Sequence, residues 1–503
     1  MNRRIQSLIV LSVGVMLPSL SSPAEAQPVR AAQPSARAAV ASAVRSEQAE
    51  RREQLFEALG DGITLVLGSH EPSPDFLPWQ QARAFLYLTD FREPDAALVM
   101  VERGGTRQEM LFVRPRDPAR EVWNGDRLGV DGVRARFGME GRETSTLRDA
   151  LDELIKQGGP LYVAGDLSGT STVRTRQDQF IDEIRAAHPG LKVENVANAV
   201  GRLRGRKSTS ELARLRIATE ISAAGHLAVM RVIQPNIAEF QIEGMAEGAW
   251  RMAGADGPGY ESIVGSGPNA TTLHYNRNDR IARDGEVIVM DMAASFDGYS
   301  SDITRTVPVN GKFSPTQRDI YSIVLDAQKA AERQVRAGGP SRAMTDSATF
   351  VLRAGLAHIG LIESADATYD CGTADRVREC PQLSLYYMHG LGHGIGLDVH
   401  DPDQYAMNGR IDVGSAFTIE PGIYVRSNLM EIISDTPRNR AFKARVANAF
   451  AKYSGIGVRV EDVFLVTEAG VERPSAGVPR EMHEIEREMA LPRPPLSPVR
   501  RTP

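Results

Sequence analysis

The sequence predicts a protein of two domains, the first of which has an α/β fold. The chain has 503 residues, of which 42% are hydrophobic, and this is enough apolar material for more than one core. Residues 51–200 alternate short apolar runs with stretches of helical periodicity, a pattern typical of α/β domains. Residues 201–207 combine glycines with arginines and a lysine, and we interpret them as a linker. The predicted domains are therefore residues 51–205 and 206–480.

The elements of the first domain follow from composition and periodicity. Short runs rich in Val, Ile, Leu, Phe and Ala predict strands, and longer segments with a period near 3.6 predict helices. The predicted strands are Ile63–Leu67, Ala97–Val101, Met110–Val113 and Leu161–Val163, and the predicted helices are Thr144–Gln157 and Gln177–Ala187.

Capping boxes mark the starts of two helices in the second domain. Ser208 and Glu211 stand three residues apart before a run of apolar positions. Ser314 and Gln317 have the same spacing, with a proline at the first helical position between them. We expect this second helix to run to the glycines at 338–339, since glycine often follows a helix end.

The amino terminus has the features of a secretory signal peptide. Two arginines precede an apolar run at residues 8–20, and Ala24-Glu25-Ala26 is a typical cleavage site before Gln27. An uncleaved membrane anchor is the alternative, but the apolar run is short for a membrane span. We expect residues 1–26 to be removed and the mature chain to be periplasmic or secreted, with no membrane attachment.

Both ends of the mature chain are predicted to lie outside the packed domains. Residues 27–50 are rich in Ala, Gln, Ser and Arg without an evident apolar face, so we predict a flexible or weakly helical leader. Residues 481–503 end in a proline-rich stretch, and we predict an extended tail there.

Charge and cysteine content exclude some functions. The 59 Lys and Arg residues against 64 Asp and Glu give a net charge of −5, and no basic stripe is present, so no nucleic-acid partner is expected. The cysteines are Cys371 and Cys380. Their spacing fits no zinc pattern, and in an exported chain we favour a local disulfide over a metal site.

Two aspartates are predicted to converge on one face of a hairpin. Residues 287–292 form a strand pattern that contains Asp291, Asp297-Gly298 offers a two-residue turn, and the returning strand carries Asp302. With a tight turn, residue 291 pairs with 304, and Asp291 and Asp302 become diagonal neighbours on the same face. Carboxylates this close repel each other, and a bound cation removes the repulsion.

A glycine-rich segment carries three histidines, His389, His393 and His400. Glycines flank His393 on both sides and allow backbone or ligand to approach closely. A lone histidine is more often a packed or surface residue than a ligand, but three on one such segment indicate a functional site.

Two further carboxylates stand in apolar surroundings. Glu420 ends an apolar run just before a Pro-Gly pair, and Glu461 lies on a strand pattern two residues after Arg459. The alternatives are an exposed strand end for Glu420 and a solvated ion pair for Glu461 with Arg459. The apolar flank after Glu461 argues for burial, and buried carboxylates need compensation.

Together these residues form a candidate site for two divalent metal ions. The candidate ligands are Asp291, Asp302, His393, Glu420 and Glu461. Four carboxylates and one imidazole favour manganese, with cobalt, zinc and iron as alternatives, and the histidine disfavours calcium. Two metal ions bridged by carboxylates can share a hydroxide and clamp a substrate oxygen.

With these motifs in this order, the chain resembles the pita-bread metallopeptidases, and within them the Xaa-Pro aminopeptidase (aminopeptidase P) and prolidase branch. The resemblance covers residues 51–475 and implies a creatinase-like α/β domain followed by an α+β pita-bread catalytic domain. The matching motifs are Tyr87–Thr89, Glu93–Asp95, 115–125, Ser301–Thr306, His389–Leu397, Glu420–Gly422 and Gly457–Asp462. The chain departs from the family pattern at Trp79–Arg83 and in two segments that are longer than usual, Ile362–Gln382 and Ser427–Tyr453.

The resemblance implies a role for each candidate ligand. Asp291 would bind one metal ion, and Asp302 and Glu461 would bridge both. His393 and Glu420 would complete the second metal site, and Glu420 would also act as the general base.

The resemblance also assigns the remaining site residues. His274, His389 and His400 match histidines that contact substrate, and we expect His389 and His400 to take part in catalysis. His400 would contact the scissile carbonyl or help to pass a proton. Arg459 would orient a bridging carboxylate from behind the ligands.

The function implied is that of an exported dinuclear-metal aminopeptidase, which removes the first residue from peptides with proline at the second position. Peptides of this kind are the expected partners, and we also expect a homo-oligomer. One alternative is a prolidase restricted to Xaa-Pro dipeptides. Another is a metal-free relative, either a creatinase-like hydrolase or a binding protein, but the presence of all five ligand residues argues against it.

Overall fold

The computed structural model describes residues 34–73, 79–165, 167–168, 173–373 and 376–492. Its α-helices are α1 Pro34–Leu59, α2 Arg83–Thr89, α3 Pro118–Asn124, α4 Gly129–Phe137, α5 Leu147–Lys156, α6 Arg176–Ala187, α7 Ala197–Arg204, α8 Thr209–Met230, α9 Glu239–Ala253, α10 Pro315–Glu332, α11 Arg342–His358, α12 Gln404–Asn408, α13 Leu429–Ile432, α14 Pro437–Tyr453 and α15 Met482–Met489. Within these described ranges no helix combines the length and apolar character that a membrane crossing requires. The predicted signal peptide, residues 1–26, lies outside the described residues.

The strands are mostly short. They are β1 Gly62–Leu67, β2 Ala97–Arg103, β3 Thr106–Val113, β4 Glu140–Glu143, β5 Leu161–Ala164, β6 Val193–Asn195, β7 Gly257–Pro258, β8 Ile263–Ser266, β9 Val287–Asp291, β10 Ala294–Phe296, β11 Tyr299–Ser300, β12 Thr304–Pro308, β13 Gly339–Pro340, β14 Thr368–Thr373, β15 Arg376–Pro381, β16 Arg410–Ile411, β17 Ala416–Ile419, β18 Gly422–Tyr424, β19 Gly457–Arg459, β20 Asp462–Thr467 and β21 Gly470–Glu472.

The amino-terminal α/β domain is built on one mixed sheet in the order β4-β3-β2-β1-β5-β6. Strand β1 is antiparallel to β2 and parallel to β5. Side chains of β1 alternate between two cores: Ile63, Leu65 and Leu67 face one cluster, and Val66 faces the other. The strands and helices predicted in this domain are all present, with small differences at their ends.

The second domain surrounds the larger apolar core with helices α8 to α11 and short antiparallel ladders. Ladder β8-β9-β12, ladder β17-β20-β21 and the pair β18-β19 meet at the strand ends that carry the candidate ligands. The capping boxes predicted at Ser208 and Ser314 are both formed, so helices α8 and α10 begin where expected. This arrangement is the α+β part of the predicted fold.

The aspartate hairpin has the predicted register. Asp291 is paired with Thr304, and the turn at Asp297-Gly298 has positive φ angles of 52° and 84° at its two residues. Such angles are typical of the tight primed turns whose twist matches a hairpin. The hairpin therefore carries Asp291 at the end of β9 and Asp302 on the returning segment between β11 and β12, in the register that the sequence predicted.

The cysteines also behave as predicted. Cys371 and Cys380 form a disulfide that joins strands β14 and β15. This hairpin leads through a short 3-10 helix, Gln382–Leu385, to the segment that carries His389. The alternative of a cysteine metal site is therefore wrong.

Two predictions about connecting segments are corrected by the structure. The linker at 201–207 is not an exposed connection, because residues 201–204 belong to helix α7 and the Lys207 side chain is fully buried. Two of its basic residues, Arg204 and Lys207, form buried ion pairs with Asp401. Helix α10 ends at Glu332 and not near 338, because the chain turns there to reach strand β13.

The two predicted tails are also partly ordered. Residues 34–50 form the first part of helix α1, the helical one of the two forms predicted for the leader, since their alanines and polar residues favour a helix that continues to Leu59. Residues 482–489, placed in the extended tail, form helix α15 because Ile485 and Met489 pack into the large core. The proline-rich end, residues 493–503, lies outside the described residues.

Candidate metal centre and active-site cleft

All nine residues proposed from the sequence line one cleft of about 620 Å³. They are His274, Asp291, Asp302, His389, His393, His400, Glu420, Arg459 and Glu461. They come from six separate segments of the second domain, so their convergence is a property of the fold and not of local sequence. The structure brings all of them together and leaves none outside.

The two aspartates lie where the ladder between β9 and β12 opens. Asp291 is the last residue of β9, and Asp302 precedes β12. The phenol oxygen of Tyr260 lies 2.6 Å from Oδ1 of each aspartate, so the hydroxyl contacts both carboxylates and donates its single proton to one of them at a time. Tyr260 was missed by the sequence analysis, since a lone tyrosine between Gly259 and Glu261 carries no distinguishing pattern.

His393 is held by a segment that runs beside strand β17. Its backbone carbonyl accepts the Thr418 N–H at 2.9 Å, and its own N–H is donated to Thr418 Oγ1 at 3.2 Å. A Cβ atom at Gly392 would overlap the Thr418 carbonyl, and one at Gly394 would overlap the Asp401 carbonyl. The glycines beside His393 therefore permit close approach of backbone, as their pattern indicated.

Glu461 lies at the break between β19 and β20, and its side chain is 1% exposed. Its N–H is donated to the Thr304 carbonyl at 3.0 Å, and its Oε2 accepts the Thr304 hydroxyl at 2.6 Å. The other oxygen, Oε1, has no hydrogen-bond partner in the described part of the chain. A buried carboxylate oxygen without a donor is a strong acceptor for a cation.

The side chains of Asp302, His393 and Glu461 place their ligand atoms within 4.8 Å of one another. Nε2 of His393 is 3.4 Å from Asp302 Oδ2, 3.3 Å from Glu420 Oε1 and 4.0 Å from Glu461 Oε1. Oxygen and nitrogen donors converging in this way fit divalent transition metals or zinc. The donor set of the cleft therefore suits the metal ions that the family requires.

The electrostatics of the cleft call for added positive charge. Burial, reinforced by the negative charges of Asp302 and its neighbours, raises the pKa of Glu461 well above its usual range. Burial also raises the pKa of Glu420 to about 7. Against the lowering effect of burial, the hydrogen bond and charge of Asp302 raise the pKa of His393 to about 9. The raised pKa values of Glu461, Glu420 and His393 mean that these groups hold protons, which reduce the repulsion between the carboxylates. Bound cations would reduce the same repulsion.

Arg459 lies behind the ligands and is 3% exposed. Its Nη2 donates to Asp291 Oδ2 at 2.5 Å, its Nε donates to Thr304 Oγ1 at 3.2 Å, and its Nη1 donates to the Tyr424 hydroxyl at 2.9 Å. Arg459 thus contacts Asp291 directly and reaches Glu461 through Thr304. The sequence analysis missed Thr304 and Tyr424 as partners, since both look like ordinary strand residues.

The other histidines form the walls of the cleft. His274 and His400 are exposed to it, and the His400 ring lies 4.2 Å from the His393 ring. His389 is half-buried, and its Nε2 lies 2.8 Å from the Tyr424 hydroxyl. Burial, together with the charge of Arg459, lowers the pKa of His389 to about 4, so this ring is neutral near pH 7.

A buried cluster of charges fixes the segment that ends at His400. The carboxylate of Asp401 pairs with Arg204 and with Lys207, whose Nζ lies 3.0 Å away. Its Oδ1 also accepts the Asp398 N–H at 3.0 Å. Arg83 of the first domain donates to Asp398 Oδ1 at 3.0 Å, so both domains hold this segment.

Comparison with known proteins agrees with this geometry. The model of metallopeptidase family M24 matches residues 213–468, and the model of the aminopeptidase P amino-terminal domain matches residues 48–162. A Xaa-Pro aminopeptidase of Haemophilus influenzae is 33% identical over 449 residues, covering 88% of this chain and 96% of that protein. The Xaa-Pro aminopeptidase of Escherichia coli is 31% identical, covering 88% of this chain and 97% of that protein.

Solved structures show the same likeness. Escherichia coli aminopeptidase P with the inhibitor Pro-Leu superposes with a TM-score of 0.74 at 30% identity, covering 88% of this chain and 98% of that one. Its zinc-substituted form in complex with product gives a TM-score of 0.73 with the same coverage. The predicted fold, an aminopeptidase P amino-terminal domain followed by a pita-bread domain, is confirmed. The chain belongs to metallopeptidase family M24, in its Xaa-Pro aminopeptidase branch.

Proposed function

We propose that this chain is an exported aminopeptidase that uses two divalent metal ions to release the first residue of peptides with proline at the second position. The observation that carries the proposal is the convergence of four carboxylates and His393 in one cleft, with a buried Glu461 oxygen that lacks a donor. The relatives named as Xaa-Pro aminopeptidases supply the substrate class.

The proposed roles follow the resemblance to the family. Asp291 would hold one metal ion, Asp302 and Glu461 would be shared by both, and His393 and Glu420 would complete the second site. When bound, such ions polarise a carbonyl and lower the pKa of water. Glu420 is the general base, because its carboxylate faces the cleft beside His393 and burial raises its pKa to about 7.

Three histidines are proposed to handle the substrate. The nitrogen of a Xaa-Pro bond has no hydrogen and must be protonated as it leaves, so a proton donor is needed on the substrate side of the cleft. His400 is exposed there, which suits it to this transfer. His274 and the neutral His389 contact the peptide from the walls.

The metal content is tested on the purified protein. We expect two divalent ions per chain after chelation and reconstitution, with manganese giving the highest activity and cobalt, zinc and iron as alternatives. Elemental analysis without metal, together with activity that survives chelation, would exclude the proposal.

Replacement of the base tests the assignment of Glu420. We expect Glu420→Ala to abolish turnover, because no other described residue of the cleft combines ligand and base in that position. Glu468→Ala, on the exposed turn between β20 and β21, serves as a control that should leave turnover unchanged. Turnover of Glu420→Ala within about tenfold of the parent would contradict the role, given what a metal site contributes.

Substrate length separates the two peptidase activities. We expect cleavage of a Xaa-Pro-Xaa tripeptide at least as fast as that of the matching Xaa-Pro dipeptide. A protein that cleaves only the dipeptide is a prolidase, and the substrate part of the proposal then fails while the metal part stands.

Export and assembly are further parts of the proposal. The signal features of residues 1–26 support export, and the Cys371–Cys380 disulfide is typical of an oxidising compartment. Amino-terminal sequencing of the protein from cell fractions should find a chain that starts near Gln27 outside the cytoplasm. Recovery of the uncleaved chain from the cytosol would contradict export. The proposed homo-oligomer is tested by light scattering of the purified protein.

A further inference from the structure

Helix α8 packs a row of three polar side chains against the hairpin that carries the aspartates. Thr219, Ser222 and His226 each have 0% exposure, and their spacing of three and four residues places them on one helix face. Buried polar groups in an apolar core cost free energy unless they form specific bonds. We call these three residues the α8 polar row.

The bonds of the α8 polar row replace rungs of the hairpin ladder. A regular antiparallel ladder exchanges two hydrogen bonds within each narrow pair. In the pair of Met292 with Ile303, only the bond from the Met292 N–H to the Ile303 carbonyl is formed, at 3.2 Å, and in the pair of Ala294 with Ser301, only the bond from the Ser301 N–H to the Ala294 carbonyl, at 3.1 Å. The remaining groups of Met292 and Ala294 bond to α8 instead. The Met292 carbonyl accepts His226 Nε2–H at 2.9 Å, and the Ala294 N–H is donated to Ser222 Oγ at 2.9 Å.

The third member of the row binds next to the second aspartate. Thr219 Oγ1 lies 2.9 Å from Ser301 Oγ and donates its own proton to the Leu215 carbonyl, so Ser301 is the donor of the bond between them. Met292 directly follows Asp291, and Ser301 directly precedes Asp302. The α8 polar row therefore fixes the backbone one residue away from each aspartate.

Packing alone does not account for His226. It is fully buried, and its Nδ1 has no hydrogen-bond partner among the described residues. Burial lowers the pKa of His226 to about 4, so the ring is neutral near pH 7 and its one N–H is used on Met292. An apolar side chain of similar volume would avoid the cost of the unpaired nitrogen.

We propose that the α8 polar row, and His226 above all, holds the hairpin ladder open so that Asp291 and Asp302 keep the separation that two metal ions require. His226 is then a positioning residue, which acts through the Met292 carbonyl and touches neither metal nor substrate. The inference rests on the proposed metal function.

The test measures the affinity of the chelator-treated protein for Mn²⁺ by isothermal titration calorimetry. The substitution His226→Leu keeps the volume but removes the N–H, which frees the Met292 carbonyl to accept the Ile303 N–H and close the ladder. We expect its Mn²⁺ affinity to fall about 10- to 100-fold, as for other residues that orient ligands from behind. The melting temperature of the metal-free variant should equal or exceed that of the parent. His226→Gln, which offers an N–H in a similar place, should recover part of the affinity.

Val229→Ala is the matched control, since Val229 lies one turn further along α8, is fully buried and makes no polar contact with the hairpin. It should lower the melting temperature and leave the Mn²⁺ affinity unchanged. If His226→Leu binds Mn²⁺ like the parent, or loses affinity only in step with a loss of stability as great as that of Val229→Ala, the positioning role is wrong. If the parent protein binds no Mn²⁺, the proposed metal function itself fails, and this inference fails with it.

Discussion

At the scale of single residues, the metal centre depends on groups that bind no metal. The Tyr260 phenol lies between Asp291 and Asp302, and burial together with these negative charges raises its pKa well above the usual range. It therefore stays protonated near neutral pH and always donates. A donor shared by two carboxylates lowers their repulsion and fixes their spacing before any metal arrives.

Removal of the Tyr260 hydroxyl tests this role. We expect Tyr260→Phe to weaken Mn²⁺ binding about 10- to 100-fold, measured by titration of the chelator-treated protein, because both aspartates lose their shared donor. Tyr275→Phe removes a comparable bond to the exposed Asp279 and should bind Mn²⁺ as the parent does. Equal affinities in the two variants would refute the role of Tyr260.

Replacement of His400 distinguishes a role in catalysis from a role in metal binding. It faces the cleft beside His393, and burial and the charge of His393 lower its pKa, so it is mostly neutral near pH 7 and ready to exchange a proton. We expect His400→Ala to keep its metal content and melting temperature while kcat falls about 10²- to 10⁴-fold, the usual contribution of positioned proton transfer. His358→Ala, at the exposed end of helix α11, is the control and should leave kcat unchanged. Loss of metal in step with activity would instead make His400 a structural residue.

The sequence predicted the residues of the cleft better than their partners. Asp291, His393 and Glu420 stand out because a charged or imidazole group interrupts an apolar or glycine-rich run. Tyr260 and Tyr424 do not stand out, since tyrosine is ordinary in strands and near cores. Their roles depend on contacts between segments distant in sequence, which no local pattern contains.

At the scale of elements, the register of the aspartate hairpin was predictable, and the burial of residues in the connecting segment 201–207 was not. The Asp297-Gly298 turn fixes the pairing by local geometry alone. The segment at 201–207 was interpreted as a linker, because its neutralising partners, Asp398 and Asp401, lie nearly 200 positions away. Long-range ion pairs of this kind cannot be read from the charge of one segment.

The buried pair between Lys207 and Asp401 gives an element-scale prediction. The Lys207 side chain is fully buried, and its Nζ also donates to the Pro402 carbonyl at 2.9 Å. We expect Lys207→Met to lower the free energy of unfolding by about 3–5 kcal/mol, because the substitution leaves the buried Asp401 carboxylate with less compensation. Urea denaturation of the metal-free protein measures this change.

An exposed ion pair provides the control for Lys207→Met. Lys156 and Glu153 lie 2.7 Å apart with most of both side chains exposed, so Lys156→Met should change the free energy of unfolding by less than about 1 kcal/mol. Similar effects of the two substitutions would show that the Lys207 pair does not stabilise the segment before His400.

At the scale of the whole molecule, one of the apolar clusters is shared by the two domains. That cluster contains Phe85 and Leu98 of the first domain together with Leu215, Ile395 and Val463 of the second. The sequence predicted two domains and more than one core, and the structure has further apolar clusters that belong to one domain each. The shared cluster was not predictable, because each apolar run looks equally suited to the core of its own domain.

Helix α1 strengthens the connection between the domains. Arg51 donates to the Tyr87 carbonyl at 3.0 Å and lies 3.0 Å from Glu211 at the start of helix α8. Arg214 of the same helix pairs with Asp297 at the hairpin turn, at 3.0 Å. Charged groups buried at the junction lose their partners if one domain unfolds alone, and such a loss is costly.

We therefore expect the metal-free protein to unfold in one cooperative transition, although chains of two domains often show two. Hydrogen exchange followed by mass spectrometry along a urea series is the measurement. Peptides from strands β1 and β2 should reach the same opening free energy, with the same urea dependence, as peptides from β9 and β12. The substitution Leu215→Ala removes a fully buried side chain from the shared cluster and should lower both opening free energies equally, by about 2–5 kcal/mol. Separate opening of the first sheet, or an effect of Leu215→Ala on the second domain alone, would show that the junction does not couple the two domains.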